Sequence, residues 1–258
     1  MTIARDDLCA VVLAAGYGTR LQPLTLHRPK ALCPINNVPL IDLALRSVRP
    51  HVAEIAVNIH YLADAVLAHL GDEDVHISDE REQILASAGA LGKLRHWIGG
   101  RAVLVRNVDA YLTANLDELI EGWDGSRPRL LARERPGRSD FGTAQYVGAC
   151  LLPAASVAAL SAEPASLYDI VWKPAWDSND LELVMTSGEF VDCGTPADYL
   201  RANMLASGGL SVIGEGAVVE GHLERVVVWP GGVVRADERL ADCIRVGSDL
   251  TVDARPVD

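Results

Sequence analysis

The chain has 258 residues, about half of them hydrophobic, which is enough to bury the core of one large domain with or without a small second one. Its formal net charge of −12 disfavours nucleic acid and anionic membrane surfaces as partners, because an acidic surface repels both. Five scattered cysteines without a CxxC pair indicate reduced cytoplasmic thiols. The start of the chain is charged and no long apolar run follows, so we expect no signal peptide and no membrane span.

Strand-like and helix-like segments alternate along the first part of the chain. The predicted order is strand 8–13, helix 39–50, strand 54–58, helix 60–70, strand 75–78, helix 88–98 and strand 102–105. This alternation predicts an α/β fold with a Rossmann-like, mostly parallel sheet between helices, and ligands then bind at the carboxyl ends of the strands. Beyond residue 129 the pattern is mixed, with strands near 145–152 and 181–191 and a helix at 196–206.

A change of pattern after Ser207 predicts a domain boundary, with domains at 1–207 and 208–258. Aliphatic residues then recur at a six-residue spacing, with one shift in phase: Ile213, Val219, Val228, Val234, Leu240, Val246 and Val252. A six-residue period favours a short left-handed β-helix, and an irregular β-rich tail is the alternative. The unpaired last coil of such a tail favours a homo-oligomer.

The segment most informative about chemistry follows the first strand and reads LAAGYGTRLQPLT at 13–25 and PKAL at 29–32. Small residues at the end of a buried strand allow backbone N–H groups to approach a phosphate or a base. Arg20 and Lys30 can neutralise the charge of a triphosphate. Leu21 stands where the dinucleotide-binding fingerprint has its third glycine, and no GK[ST] sequence follows, so neither familiar phosphate motif is present.

The segment resembles the signature of the sugar-phosphate nucleotidylyltransferases, which reads roughly LAxGxGTRLxPLT followed by PKxL. Three further segments are similar to family elements: ILASAGAL at 84–91, NVD at 107–109 and VDCGT at 191–195. The family includes mannose-1-phosphate guanylyltransferases, glucose-1-phosphate thymidylyltransferases and N-acetylmuramate-1-phosphate uridylyltransferases. A short C-terminal β-helix is common among its mannose-type members.

The resemblance implies that an NTP and a sugar-1-phosphate condense to an NDP-sugar and pyrophosphate with Mg²⁺. It implies that Arg20 holds the departing pyrophosphate, that Lys30 contacts the reacting phosphates, and that Asp109 and Asp192 bind the ion. The implied nucleotide contacts are Ala14, Ala15, Gly16, Gly18, Thr19, Gln83, Ser87, Ala88 and Gly89. The implied sugar contacts are Tyr146, Gly148 and Asp169.

Each charged residue also has a structural alternative. Asp109 could cap a helix that begins near Thr113, and Asp192 could cap helix 196–206. Arg20 and Lys30 could be ordinary surface charges. For three aromatic residues near the implied sugar pocket, packing is favoured over stacking on a sugar: Tyr168, Trp172 and Trp176.

The sequence departs from the family pattern at several positions. Val108 replaces a glycine, Ile84 replaces a proline, and Ala86 and Ser87 replace a Gly-Thr pair. The strand pair that carries a sugar-binding Glu-Lys-Pro in typical members is missing after residues 141–142. Mannose-1-phosphate with GTP is the first choice of substrates. Uridylyl, thymidylyl and phosphocholine-type cytidylyl transfer are alternatives, as is a catalytically weak regulatory homologue that binds a nucleotide sugar.

Overall fold

The computed structural model describes residues 3–135, 137 and 139–255. The strands are β1 (Leu8–Leu13), β2 (Pro34–Ile35), β3 (Val38–Pro39), β4 (Ile55–Ile59), β5 (His76–Asp79), β6 (Ala102–Asn107), β7 (Ala110–Leu112), β8 (Arg129–Glu134), β9 (Ala144–Leu152), β10 (Glu182–Met185), β11 (Phe190–Asp192), β12 (Val212–Ile213), β13 (Val218–Val219), β14 (His222–Val228), β15 (Val233–Val234), β16 (Arg239–Val246) and β17 (Leu250–Asp253). The α-helices are α1 (Leu40–Val48), α2 (Ala63–Leu70), α3 (Ala86–Ile98), α4 (Asp117–Ile120), α5 (Ala154–Ala158), α6 (Lys173–Asp177) and α7 (Pro196–Ala206).

These elements belong to two compact units. The first unit contains residues 3–16, 43–108 and 112–190, and the second contains 17–42, 109–111 and 191–255. The predicted domain boundary after Ser207 stays a prediction. None of the described residues lies in a helix with the length and apolar character needed to cross a membrane.

A seven-stranded sheet with the order β10-β8-β9-β6-β1-β4-β5 forms the centre of the first unit. The neighbours β6, β1, β4 and β5 run parallel, and β10 runs parallel to β8, whereas β9 is antiparallel to both of its neighbours. The predicted α/β fold with a mostly parallel sheet is therefore confirmed. Leu13 lies opposite Asn58 on one side and Asn107 on the other, so the carboxyl ends of three strands meet at one edge.

The core of the first unit explains why its strands read as continuous apolar runs. Residues 8–12 of β1 are at most 1 % exposed, as expected for a parallel strand covered on both faces. On one face, Leu91 and Leu94 of α3 pack with Val11 and Val103 in a single cluster. Burial of each such side chain contributes about 1.5–3 kcal/mol.

The tail of the second unit is built from parallel strands. β12, β14 and β16 lie side by side in parallel, β17 closes this sheet in the antiparallel direction, and β13 pairs in parallel with β15. Val228 and Val234, two of the six-residue repeat positions, are fully buried in its core. Ile213 is 47 % exposed, because β12 is an edge strand, and Val212 points inward instead.

Within the second unit, the buried aromatic pair Tyr199 and Trp229 links the tail to residues on both sides of the PKAL segment at 29–32. The Trp229 indole N–H donates to the Tyr199 hydroxyl at 3.0 Å, and this hydroxyl donates to the carbonyl of Pro34 at 2.5 Å. The Arg28 guanidinium lies 4.8 Å from the centre of the Trp229 ring, which is a cation–π distance. The tail is therefore linked to residues on both sides of Lys30, to the Arg28 side chain directly and to the Pro34 backbone through Tyr199.

Two sequence-based expectations differ from the structure. No helix begins near Thr113; Asp109 is followed by β7, and the next helix, α4, has only four residues. The strand expected at 181–191 is split into β10 and β11, which join different sheets. A turn separates them, because the Gly188 N–H donates to the Thr186 hydroxyl at 3.1 Å instead of to a neighbouring strand.

Candidate active site

The first part of the signature segment lies at the end of β1. Ala14 and Ala15 are buried, and the Ala14 N–H donates to the Asn58 side-chain oxygen at 2.7 Å. Gly16 is exposed, and a β-carbon placed on it would meet no atom within 4 Å. The backbone at Gly16 is thus open to a ligand.

The second part of the segment, in the second unit, folds as a tight turn on Gly18. Its φ of +66° is in the left-handed region, and its carbonyl accepts from the Thr25 hydroxyl at 2.9 Å and from the Leu21 N–H at 3.0 Å. A β-carbon would lie 2.8 Å from Thr25 Cγ2 and 3.1 Å from Lys30 Cβ, so only glycine fits. Thr19 follows this turn and is exposed.

The four charged residues expected to carry the chemistry are connected by three ion pairs in the second unit. Lys30 Nζ lies 2.8 Å from Asp109 Oδ2 and 3.9 Å from Asp192 Oδ1. Arg20 Nη2 lies 3.1 Å from Asp192 Oδ2. The Lys30 side chain is 8 % exposed, whereas that of Arg20 is 63 % exposed. The two carboxylates thus face one buried ammonium group, and an exposed guanidinium lies at the solvent side.

Backbone pairing brings the two carboxylates together. β7 and β11 form a two-stranded sheet, and the Cys193 N–H donates to the Asp109 carbonyl at 2.9 Å. Neither carboxylate caps a helix: β7 follows Asp109, and Thr195 caps α7 by accepting the Asp198 N–H at 3.1 Å. Both structural alternatives for these carboxylates are therefore wrong, and so is the view of Lys30 as a surface charge.

Cys193 is the thiol nearest to the carboxylates in sequence, and it is buried. Burial raises the pKa of Cys193 to about 12, so this thiol stays protonated at neutral pH and is a poor nucleophile. The arrangement of charges around it suits the binding of phosphates and a cation better than covalent catalysis.

Gly194 lies directly against the Arg20 guanidinium, where no larger residue would fit without displacing it. A β-carbon at this position would lie 2.7 Å from three atoms of the Arg20 guanidinium. We expect Gly194→Ala to displace the guanidinium and to lower turnover by about tenfold, since one charge contact is lost or misplaced. The midpoint of urea unfolding should hardly change, because the displaced group is the exposed end of a flexible side chain. Turnover equal to that of the wild type would show that the position of Arg20 is not critical.

The second implied nucleotide segment, around the start of α3, is largely engaged within the protein. The Ser87 hydroxyl accepts the Leu167 N–H at 2.8 Å, and the Ala88 N–H donates to the Ala165 carbonyl at 2.8 Å. Gly89 is buried, and a β-carbon there would lie 2.3 Å from the Glu163 carbonyl oxygen. These three residues therefore pack against segment 163–167 and support the start of α3.

Gln83 differs from the other residues of this segment, since it is exposed beside a cavity of about 720 Å³. The residues that line this cavity are Asp79, Glu80, Arg81, Glu82, Gln83, Leu85, Lys93 and Ala162. Gln83 is thus the residue of the implied base-binding segment whose side chain can reach a ligand there.

Ala86 adopts a backbone conformation that favours glycine, the residue it replaces in the family pattern. Its φ is +56°, which costs an alanine about 1–2 kcal/mol. We expect Ala86→Gly to raise the free energy of unfolding by up to about 1 kcal/mol, measured in urea. Ala68→Gly, at an exposed position within α2, is the control and should lower it by about 1 kcal/mol. If both variants were equally destabilised, the strain at Ala86 would be refuted.

The three implied sugar residues lie in the first unit in different settings. The Tyr146 ring is 4.7 Å from that of Trp172, and the Gly148 carbonyl accepts from buried Arg106 at 3.2 Å. Asp169 is exposed and accepts from the Ser166 hydroxyl at 2.5 Å. Of the three, only the Asp169 side chain is largely exposed to solvent.

An aromatic cluster lies on the same unit. The buried Phe141 ring is 5.6 Å from Tyr168 and 5.5 Å from Trp176, and these two are 37 % and 39 % exposed. Packing is therefore one role of both rings, and their outer faces remain accessible.

The sequence did not single out two buried polar residues near β1. Asn58 and Glu80 are 3 % and 1 % exposed and hydrogen-bond to each other at 2.9 Å. A polar residue within or directly after a buried strand was the available signal, since such a group needs a partner.

Comparisons with known proteins identify the family to which the chain is related. A family model described as a MobA-like NTP transferase domain matches residues 10–181. The chain is 40 % identical over 130 residues to the N-acetylmuramate alpha-1-phosphate uridylyltransferase of Caulobacter vibrioides, a match that covers 46 % of this chain and 54 % of that protein. The chain thus matches about half the length of this relative.

Two further similarities extend over more of the chain. It is 26 % identical over 292 aligned residues to a protein of Oryza sativa subsp. japonica named "Probable mannose-1-phosphate guanylyltransferase 1", covering 91 % of this chain and 80 % of that one. The structure of HddC from Yersinia pseudotuberculosis complexed with GMP-PN superposes with a TM-score of 0.64 at 20 % identity, covering 77 % of this chain and 99 % of HddC. The likeness to HddC shows a shared fold.

Proposed function

The chain belongs to the MobA-like NTP transferase domain family, and from this membership we propose that it is a sugar-1-phosphate nucleotidylyltransferase. The observation that carries the proposal is the cluster of two cations and two carboxylates, in which Lys30 contacts both Asp109 and Asp192. Such a cluster can hold phosphate groups and a metal ion together.

In the proposed reaction, an oxygen of the sugar phosphate attacks the α-phosphorus of the NTP. A new oxygen–phosphorus bond forms, the bond to the bridging oxygen of the β-phosphate breaks, and pyrophosphate leaves with the electron pair. The nucleophile is already an anion, so the protein needs no general base, and positioning with charge neutralisation supplies the catalysis. Lys30 would neutralise the reacting phosphates and Arg20 the departing pyrophosphate.

Asp109 and Asp192 would hold a Mg²⁺ ion, and their chemistry fits it. Both offer hard oxygen ligands, and their contacts with the same Lys30 ammonium group bring the two carboxylates to one place. This suits Mg²⁺, which usually takes one or two carboxylates and completes its shell with water and substrate phosphates. When bound, the ion would supply positive charge to the phosphate oxygens.

We place the remaining substrate contacts on the two backbone segments and the sugar residues. Ala14, Ala15, Gly16, Gly18 and Thr19 would lie against the phosphates and ribose, with the open backbone of this segment at Gly16. Gln83 would contact the base, with Ser87, Ala88 and Gly89 supporting its segment, and the sugar contacts would come from Tyr146, Gly148 and Asp169. The exposed Asp169 carboxylate suits the hydroxyl groups of a sugar.

A panel of substrates tests the proposal. Pyrophosphate release would be measured with each NTP against several sugar-1-phosphates, with and without Mg²⁺. The names of the Caulobacter and Oryza relatives suggest two substrate pairs to test first: UTP with N-acetylmuramate-1-phosphate, and GTP with mannose-1-phosphate. Release with one pair, dependent on Mg²⁺, supports an enzyme. Tight binding of an NDP-sugar without any release would favour the regulatory homologue.

The tail and the assembly are part of the same proposal. The predicted segment 208–258 ends with residues 256–258, which lie outside the described residues. We propose that its described part, 208–255, forms a short left-handed β-helix and that the exposed apolar residues of this tail, including Leu210 and Ile213, favour a homo-oligomer without nucleic acid or membrane partners. The five buried free thiols fit a reducing cytoplasmic location. A monomer mass in sedimentation at all concentrations would refute the oligomer.

A further inference from the structure

Polar side chains follow three neighbouring parallel strands of the first unit. Asn58 lies near the end of β4 opposite Leu13, the last residue of β1. Glu80 comes directly after β5, whose last residue pairs with Ile59 of β4. The carboxyl ends of β1, β4 and β5 therefore bring Asn58 beside Ala14, at the start of the segment proposed to hold the phosphates, and Glu80 beside Asn58.

These groups form one chain of hydrogen bonds between two backbone segments. The Ala14 N–H donates to Asn58 Oδ1 at 2.7 Å, and Asn58 Nδ2 donates to Glu80 Oε1 at 2.9 Å. The Leu85 N–H donates to Glu80 Oε2 at 3.0 Å. Ala14 opens the segment proposed to hold the phosphates, and Leu85 precedes α3 in the segment proposed to hold the base.

The direction of each hydrogen bond in this chain is fixed. A backbone N–H can only donate, so Asn58 must turn its oxygen to Ala14 and its nitrogen to Glu80. Glu80 then receives a donor from each side, and a carboxylate meets this demand because both oxygens accept. At 3 % and 1 % exposure, neither side chain can turn to water for a replacement partner.

We propose that Asn58 and Glu80 are positioning residues that lock the phosphate and base segments of the nucleotide site to each other, an inference that rests on the proposed function. They do not touch the reacting atoms. They set the distance between two backbone segments that must hold one NTP at both ends, so they act on nucleotide affinity and leave the sugar site unaffected.

Single substitutions break the chain at a known link. In Glu80→Gln, the new amide must face either the Asn58 amide or the Leu85 N–H donor to donor, so one hydrogen bond is lost. In Asn58→Asp, two carboxylates face each other. Both changes keep the size of the side chain. We expect each to raise the KM for the NTP on the order of tenfold, with the KM for the sugar-1-phosphate within about twofold of the wild type.

The double variant Asn58→Asp/Glu80→Gln reverses the polarity of the middle link. The new carboxylate at position 58 would still accept from the Ala14 N–H. The new amide at position 80 would donate its N–H to that carboxylate, and its oxygen would accept from the Leu85 N–H. All three hydrogen bonds and the net charge are restored. We therefore expect the NTP KM of the double variant to return to within about threefold of the wild type, a strong departure from additivity.

Hydrogen exchange of the Ala14 and Leu85 amides gives a readout that needs no turnover. We expect both amides to exchange faster in each single variant and to recover the wild-type rate in the double variant. If a single variant does not fold, we expect the double variant to fold, because its hydrogen bonds are restored. Unchanged NTP KM in active single variants, an equal rise of both KM values, or a double variant worse than either single one would overturn the inference. A wild-type chain that releases no pyrophosphate with any pair would instead refute the proposed function, and the exchange pattern would still report on the lock.

Discussion

Asp109→Asn is expected to lower turnover by on the order of 10²-fold or more, since a carboxylate that shares a metal ion with substrate phosphates supplies several kcal/mol. Asparagine keeps the size of the side chain and loses its charge, so the affinity for Mg²⁺ falls. The fold should remain, because Lys30 still lies 3.9 Å from Asp192 and can pair with it. Turnover against Mg²⁺ concentration and circular dichroism measure the two effects.

Substitution of the second carboxylate, Asp192, tests whether it shares one ion with Asp109. We expect Asp192→Asn to have an effect of the same size, and the double variant to lose less than the product of the two single losses, since the second carboxylate matters little once the ion is lost. Asp74→Asn, an exposed carboxylate in the loop before β5, is the control for a general change of charge and should keep full turnover.

Two outcomes would contradict the shared site. Strictly multiplicative losses would mean that Asp109 and Asp192 act independently. Wild-type turnover in either single variant would remove that carboxylate from the site, and the regulatory homologue would then be the better description of the chain.

The fold was predictable where one physical signal dominates. The buried run of β1, followed by small residues, is typical of a covered parallel strand, and its predicted bounds agree with the structure. α7 was predictable as well, because Thr195 and Pro196 form a standard helix start. The resemblance predicted that Asp109 and Asp192 lie close enough to share an ion, whereas their ion pairs with Lys30 were not predicted, since no local pattern joins residues so far apart.

The remaining features depend on tertiary contacts that leave no local pattern. Ala88 and Gly89 are covered because segment 163–167 packs on the start of α3. In the sequence, Asn58 and Glu80 look like ordinary polar residues, because only the pairing of the strands brings them together. The six-residue spacing predicted that Ile213 is buried, and this was wrong for a related reason. Ile213 lies on an edge strand, which has a neighbour on only one side, so periodicity alone does not decide which of two adjacent aliphatic residues is buried.

The exposed guanidinium should matter for chemistry far more than for stability. We expect Arg20→Ala to lower turnover by on the order of 10²-fold or more, because it removes a positive charge from the departing pyrophosphate. Its side chain is 63 % exposed, and an exposed ion pair such as the one with Asp192 contributes about 0–1 kcal/mol to folding. Circular dichroism and the midpoint of urea unfolding should therefore stay close to those of the wild type.

Arg20→Lys separates charge from geometry at the same position. Lysine keeps the positive charge and loses the planar fork that binds two phosphate oxygens at once, so an intermediate turnover is expected. If the lysine variant fell as far as the alanine variant, the two-oxygen contact would be the essential part of the role of Arg20. If the alanine variant kept near wild-type turnover, Arg20 would have no role at the pyrophosphate, and its contact with Asp192 would be an ordinary surface ion pair.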